Sequence, residues 1–263
     1  MPFTLLVSII LTAMLNEVRA ASPFVMTWSS TNYGPDGPWQ AIQVGIGSQA
    51  EPVALYPGGR WSSYILTSKT CANTSISATC YGDPGRLFTE MSSTSFKNVT
   101  DETWGTLDIG SADGYAGQTV GYDSINIGAG VTVPNVSLST LDQTYETFPN
   151  GVNYENQVGI LSLGAPLPTH TWVNTVMMLI PSWMSSSGGS RATPSNSYGL
   201  HVESASQGIP GSLLLGGFDQ NRVLGEVSSQ SFGPHGAAPG GDTPIGLLDI
   251  GLGVATGGSP WPY

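Results

Sequence analysis

Trp39-Gln40-Ala41-Ile42-Gln43-Val44-Gly45-Ile46-Gly47, with Val53-Ala54-Leu55 a short break later, sets the fold class. Apolar and polar side chains alternate along it, the period of a strand that buries one face. The same pattern returns at Tyr64-Ile65-Leu66, Thr106-Leu107-Asp108-Ile109, Ser124-Ile125-Asn126-Ile127 and Thr132-Val133. Strand-like runs resume at Leu213-Leu214-Leu215 and Ile245 to Val254. Turn residues separate these runs: Gly34-Pro35-Asp36-Gly37-Pro38, Pro57-Gly58-Gly59 and Asp83-Pro84-Gly85. The best helical candidate is Trp172 to Met184, which Pro181 is expected to cut short. The chain reads as all-β.

Its 263 residues suffice for one large domain or two modest ones with a sizeable core. Charged residues make up only 10%, against about 25% in ordinary soluble domains. Eighteen acids face seven bases, for a net charge of −11. The cations Arg19, Arg60, Lys69, Arg86, Lys97, Arg191 and Arg222 are isolated from one another. Nucleic acid and anionic membrane surfaces both require clustered cations, so neither is an expected partner. His170, His201 and His235 have no ligand-like spacing, so no metal site is expected. Gly45-Ile46-Gly47-Ser48-Gln49-Ala50 resembles a dinucleotide fingerprint, but Glu51-Pro52 stands where its helix should open. No cofactor is expected. The seven tryptophans carry no spacing signature and read as core or cleft lining.

Residues 1–20 read as a secretory signal: Leu5 to Leu15 is too short to span a bilayer, and Val18-Arg19-Ala20 precedes a cleavage point at Ala21. No later run is long enough for a span, since Pro181 stops Val176 to Ile180. Secretion fits Cys71 and Cys80, the only cysteines, which read as a disulfide in an oxidising compartment. It also fits the glycosylation sequons at Asn73, Asn98 and Asn135. The expected organisation is a β lobe over 21–184, a Ser/Gly-rich linker over 185–195 and a shorter β segment over 196–263.

The order of motifs resembles the pepsin-like aspartic peptidases, and the secreted fungal members in particular. Trp39 to Gly47 with Val53-Ala54-Leu55 is similar to their opening hairpin. Leu87-Phe88-Thr89-Glu90-Met91-Ser92-Ser93-Thr94-Ser95-Phe96 resembles their F-x-P-x-x-S-S-T-x segment. Gly114 to Gln118 and Asp123 to Gly128 resemble the strand pair after the flap. Val158 to Gly164 resembles D-G-I-L-G-L-G, and Gly211 to Asp219 resembles G-x-L-x-x-G-G-x-D. The resemblance implies an acid-protease lobe of double-ψ barrel type, with an incomplete second lobe. It also implies a catalytic aspartate from each lobe's Asp-Thr-Gly loop. That chemistry needs two close carboxyls, one ionised to activate water and one protonated; the family is a standard example of such splitting.

The catalytic pair is not recognisable in the sequence. Where the first loop should stand, the chain has Pro57, Gly58, Gly59 and Arg60, with Pro57 in the aspartate's place. The flap tyrosine position holds Ile109, followed by Gly110. The second loop is expected beyond Leu247 to Gly251, and the sequence given ends at Tyr263. Asp108 and Asp249 read as ordinary strand carboxylates rather than replacements. The expectation is a secreted pseudopeptidase whose cleft binds extended peptides, or another secreted protein, without hydrolysing them. Arg60 would favour acidic ligands there. Two other readings stand beside it: an active endopeptidase with an unrecognised or intermolecular carboxylate pair, and a non-enzymatic wall scaffold or truncated product. A homodimer through unpaired second-lobe strands is a further expectation.

Overall fold

The computed structural model describes residues 21–34, 39–59, 62–71, 80–99, 103–108, 113–147, 151, 153–164, 169–172, 175–202, 208–223 and 225–229. The signal reading over 1–20 lies outside them. In chain order the strands are β1 (Phe24–Val25), β2 (Trp28–Tyr33), β3 (Trp39–Ile46), β4 (Glu51–Gly58), β5 (Ser63–Leu66), β6 (Lys97–Asn98), β7 (Thr103–Asp108) and β8 (Asp113–Gly128). There follow β9 (Val131–Thr147), β10 (Asn153–Glu155), β11 (Gly159–Ser162), β12 (Thr169–Trp172), β13 (Thr175–Met178), α1 (Ile180–Ser185), β14 (Tyr198–His201) and β15 (Ser212–Leu215). The protein is all-β with one short α-helix among the described residues, and none of these has a helix long and apolar enough to cross a membrane.

Hydrogen bonding runs β9-β5-β11-β4-β3-β8 and returns to β9, closing the sheet into a barrel. The alternation read at β3 is what fills it: Ile42, Val44 and Ile46 point inward against Val53, Leu55, Ile65, Ile125, Leu138 and Leu161, all buried. Burying such a side chain contributes about 1.5–3 kcal/mol. The short runs expected around Ile125 and Val133 are parts of two much longer strands, β8 and β9. Ala129 and Gly130 join them with φ of 48° and 76°, a two-residue turn of the kind that matches strand twist.

The helix expected over Trp172–Met184 is corrected. Thr169–Trp172 and Thr175–Met178 form an antiparallel hairpin, with Trp172 opposite Thr175, and Met178 pairs in parallel with Val136 of β9. The threonines and Val176 favour extended backbone. The helix begins only at Ile180, with Pro181 in its first turn, where a missing N–H costs nothing. Pro181 opens this helix rather than ending it.

A smaller sheet, β1-β15-β14, is built from both ends of the described chain. Phe24 and Val25 pair with Leu215 and Leu214, and the Met26 amide donates to Leu213 O at 2.9 Å. Met26, Leu213 and Leu215 belong to the same apolar cluster as the barrel interior. Residues 185–195 are tied down by hydrogen bonds: Ser190 N donates to Trp183 O, and Thr193 N to Met184 O, each at 3.2 Å. β15 is paired on both sides, whereas β14 has one strand partner among the described residues.

Candidate functional site

The loop where the family resemblance puts catalysis follows β4, and its position is set by a strand crossing. β11 lies parallel to β4, with Leu161 opposite Pro57 and Ser162 opposite Gly58. It is also antiparallel to β5, with Ile160 opposite Tyr64. β5 in turn runs parallel to β9 from Ser63 opposite Leu138 to Leu66 opposite Leu141. Such a crossing demands close backbone approach at Gly159, where a Cβ would stand 1.9 Å from Tyr64 O.

Pro57 and Gly58, read from sequence as part of a turn, are still inside β4. Leu163 N donates to Gly58 O at 2.8 Å, so it is residue 58 that turns its polar groups toward β11. The N–H that proline lacks would have faced the other side, where the pairing of β4 with β3 has ended at Leu55 opposite Ile42. Proline therefore fits this strand end. A Cβ at Gly58 would stand 2.4 Å from Ile160 Cγ2, so that methyl would have to shift, whereas Gly59 faces open space. Arg60 lies outside the described residues.

Hydroxyls occupy the floor beside this loop. Ser137 donates to Ser62 Oγ at 3.0 Å, and Ser62 Oγ lies 3.1 Å from Ser139 Oγ. Ser63, fully buried, accepts from Ser162 N at 2.9 Å. Ser62, just before β5, thus pairs with the serines of β9, while Ser63 of β5 holds the backbone of β11. The sequence reading did not single them out; Ser137 and Ser139 alternate with the core residues Val136 and Leu138 along β9 and are nevertheless buried.

The expected flap is the hairpin of β7 and β8, paired from Thr103 opposite Gln118 to Asp108 opposite Asp113. Asp108 is therefore at a strand end; Ile109 and Gly110 lie outside the described residues, as do Asp249 and His235. His170 is in β12, and His201 in β14 lies with its Nδ1 3.1 Å from Arg222 Nη1. Cys71 and Cys80 are bridged, with their Cα atoms 5.1 Å apart. Asn98 and Asn135 are exposed, while Asn73 lies outside the described residues.

The buried carboxylates serve the scaffold. Asp123 accepts from Ser95 Oγ (2.6 Å), Ser93 Oγ (2.6 Å) and Ser124 N (2.7 Å), which gives Ser93 and Ser95 of the segment read at 87–96 a structural role. Asp142 accepts from Thr67 Oγ1 at 2.7 Å and from Lys69 Nζ at 2.8 Å. Lys69 also lies 3.8 Å from Glu90, which accepts from Thr140. Burial pushes the Glu155 carboxyl above its ordinary value. An open pocket of about 580 Å³ lies at Glu51 and Pro52, the opposite end of β4 from this loop.

A family model described as eukaryotic aspartyl protease matches residues 40–232. A search of curated proteins found no match.

Proposed function

The chain belongs to the eukaryotic aspartyl protease family, and we propose that it is a secreted member that binds extended peptides in its cleft without hydrolysing them. The observation that carries this reading is the end of β4. Pro57, Gly58 and Gly59 supply no carboxyl, and a Cβ at Gly58 would stand 2.4 Å from Ile160 Cγ2. Aspartic peptidase chemistry divides acid and base roles between two carboxyls, so a strand end without the first cannot perform it. Peptide binding needs only backbone pairing and side-chain pockets, which the loss of a catalytic group leaves intact. Arg60, next to Gly59 in the sequence, favours a ligand whose acidic residues meet it, although the net charge of −11 opposes acidic ligands at long range.

The test is incubation of the purified protein with a broad peptide mixture from pH 2 to 6, with binding measured in parallel by calorimetry. Peptide retention without cleavage is the expected outcome. Turnover abolished by pepstatin would overturn the proposal, and failure to retain any peptide would remove its binding half.

A further inference from the structure

The sequons at Asn98 and Asn135 acquire different meanings in the fold. Asn98 ends β6, a strand at the outer edge of the barrel sheet, opposite Gly121 of β8. Asn135 sits in an irregularity of β9, between the pairs Asp123–Val136 and Ile125–Val133, with φ of 51°. Asparagine is among the few residues that adopt this region readily. Both side chains are exposed. Other asparagines spend their amides on the fold: Asn126 donates to Thr132, Asn156 to Thr144 and Asn221 to Asp219. The amides of Asn98 and Asn135 make no such bond among the described residues, so a substituent displaces nothing.

The third residue of a sequon is part of what marks it for modification, and at Asn135 that residue is Ser137. Ser137 is 1% exposed and its hydroxyl is committed to Ser62. Val136 between them is equally buried. Once β9 has paired with β5, the tripeptide is closed to an enzyme even though the asparagine is not.

We propose that Asn98 and Asn135 both carry N-linked glycans, and that Asn135 is modified before β9 docks onto β5. The donor is a lipid-linked oligosaccharide pyrophosphate. The amide nitrogen forms the bond to the sugar's C1 as the C1–O bond to pyrophosphate breaks, and the amide proton leaves with the lipid pyrophosphate. The inference rests on the secretion in the proposed function and is independent of whether the cleft is catalytic.

The full chain is secreted from a eukaryotic host and deglycosylated with a peptide amidase in ¹⁸O-water, which converts each occupied asparagine to labelled aspartate. Peptide mass mapping is expected to find label at 98 and 135; an unlabelled residue at either position in secreted chain overturns the assignment while leaving the cleft reading intact. A chain that never enters the secretory route overturns the assignment together with the secretion on which it rests. For the order of events, chain made with donor synthesis inhibited is offered to oligosaccharyltransferase and donor in vitro. The denatured chain is expected to accept sugar at Asn135 at least tenfold faster than the folded one, and equal rates would overturn the ordering.

Discussion

A Cβ on Gly58 would stand 2.4 Å from Cγ2 of Ile160, closer than non-bonded carbons approach. β11 holds the backbone of Ile160 between β4 and β5, and its β-branched side chain is stiff at χ1, so the methyl withdraws only by a rotamer change or a shift of the strand. Gly58→Asp is therefore expected to lower stability by about 1–3 kcal/mol, the usual cost of overpacking. Gly59→Asp, one residue on, is expected to stay within about 0.5 kcal/mol of the parent, as surface changes do. Chemical denaturation of the two variants checks this; equal destabilisation would refute the steric account. Neither variant alone is expected to cleave peptide, because one carboxyl is not a pair.

Asp123 is expected to anchor residues 93–95 to the barrel. Asp123→Ala removes the carboxylate acceptor of two serine hydroxyls and of the Ser124 N–H, for an expected loss of about 1–3 kcal/mol. If the network acts as a unit, Ser93→Ala should cost less in the Asp123→Ala background than in the parent. Additive losses in a double-mutant cycle would show that the two side chains act separately.

The N-terminal strand is expected to be structural. Met26 is 2% exposed and shares the core with Leu213 and Leu215, so Met26→Ala should cost about 2–5 kcal/mol. Removing residues 21–26 altogether would also free one edge of β15, and exposed edges recruit other strands. Size-exclusion chromatography is expected to show the shortened chain self-associating beyond the parent, whereas an unchanged elution volume would argue against the role given to β1.

Glu155 gives a pH dependence whose sign follows from burial. Its carboxyl holds a proton more tightly in the fold than in the unfolded chain. In the window between the ordinary carboxylate value and the raised one, the native state binds more protons, so stability falls as pH rises through it. This contribution favours the fold on the acid side of the window. Glu155→Gln is expected to flatten the dependence there in urea titrations between pH 4 and 6, and an unaltered slope would assign it to other groups.

The barrel strands were legible in sequence because a half-buried strand must alternate, and β3 does so from Trp39 to Ile46. Tyr64-Ile65-Leu66 was legible for the same local reason. Trp172 to Met184 misled because apolar residues near a proline fit a helix or a hairpin equally; the pairing of Met178 with Val136 across the chain tips the balance. Pro57 and Gly58 read as a turn because the sequence does not show that β11 is beside them to continue the strand.

The residue types at the end of β4, and therefore the want of a carboxyl at Pro57, Gly58 and Gly59, belong to the sequence alone. So do the alternation that makes the protein all-β and the two cysteines available for a bridge. Which of these glycines has room for a side chain depended on Ile160, a residue about a hundred positions away. The joining of Phe24 to Leu215, and the burial of Ser137 against Ser62, likewise came only with folding. Alternation and turn chemistry act between neighbours in the chain, but steric room and strand pairing arise between segments that meet only when the core closes.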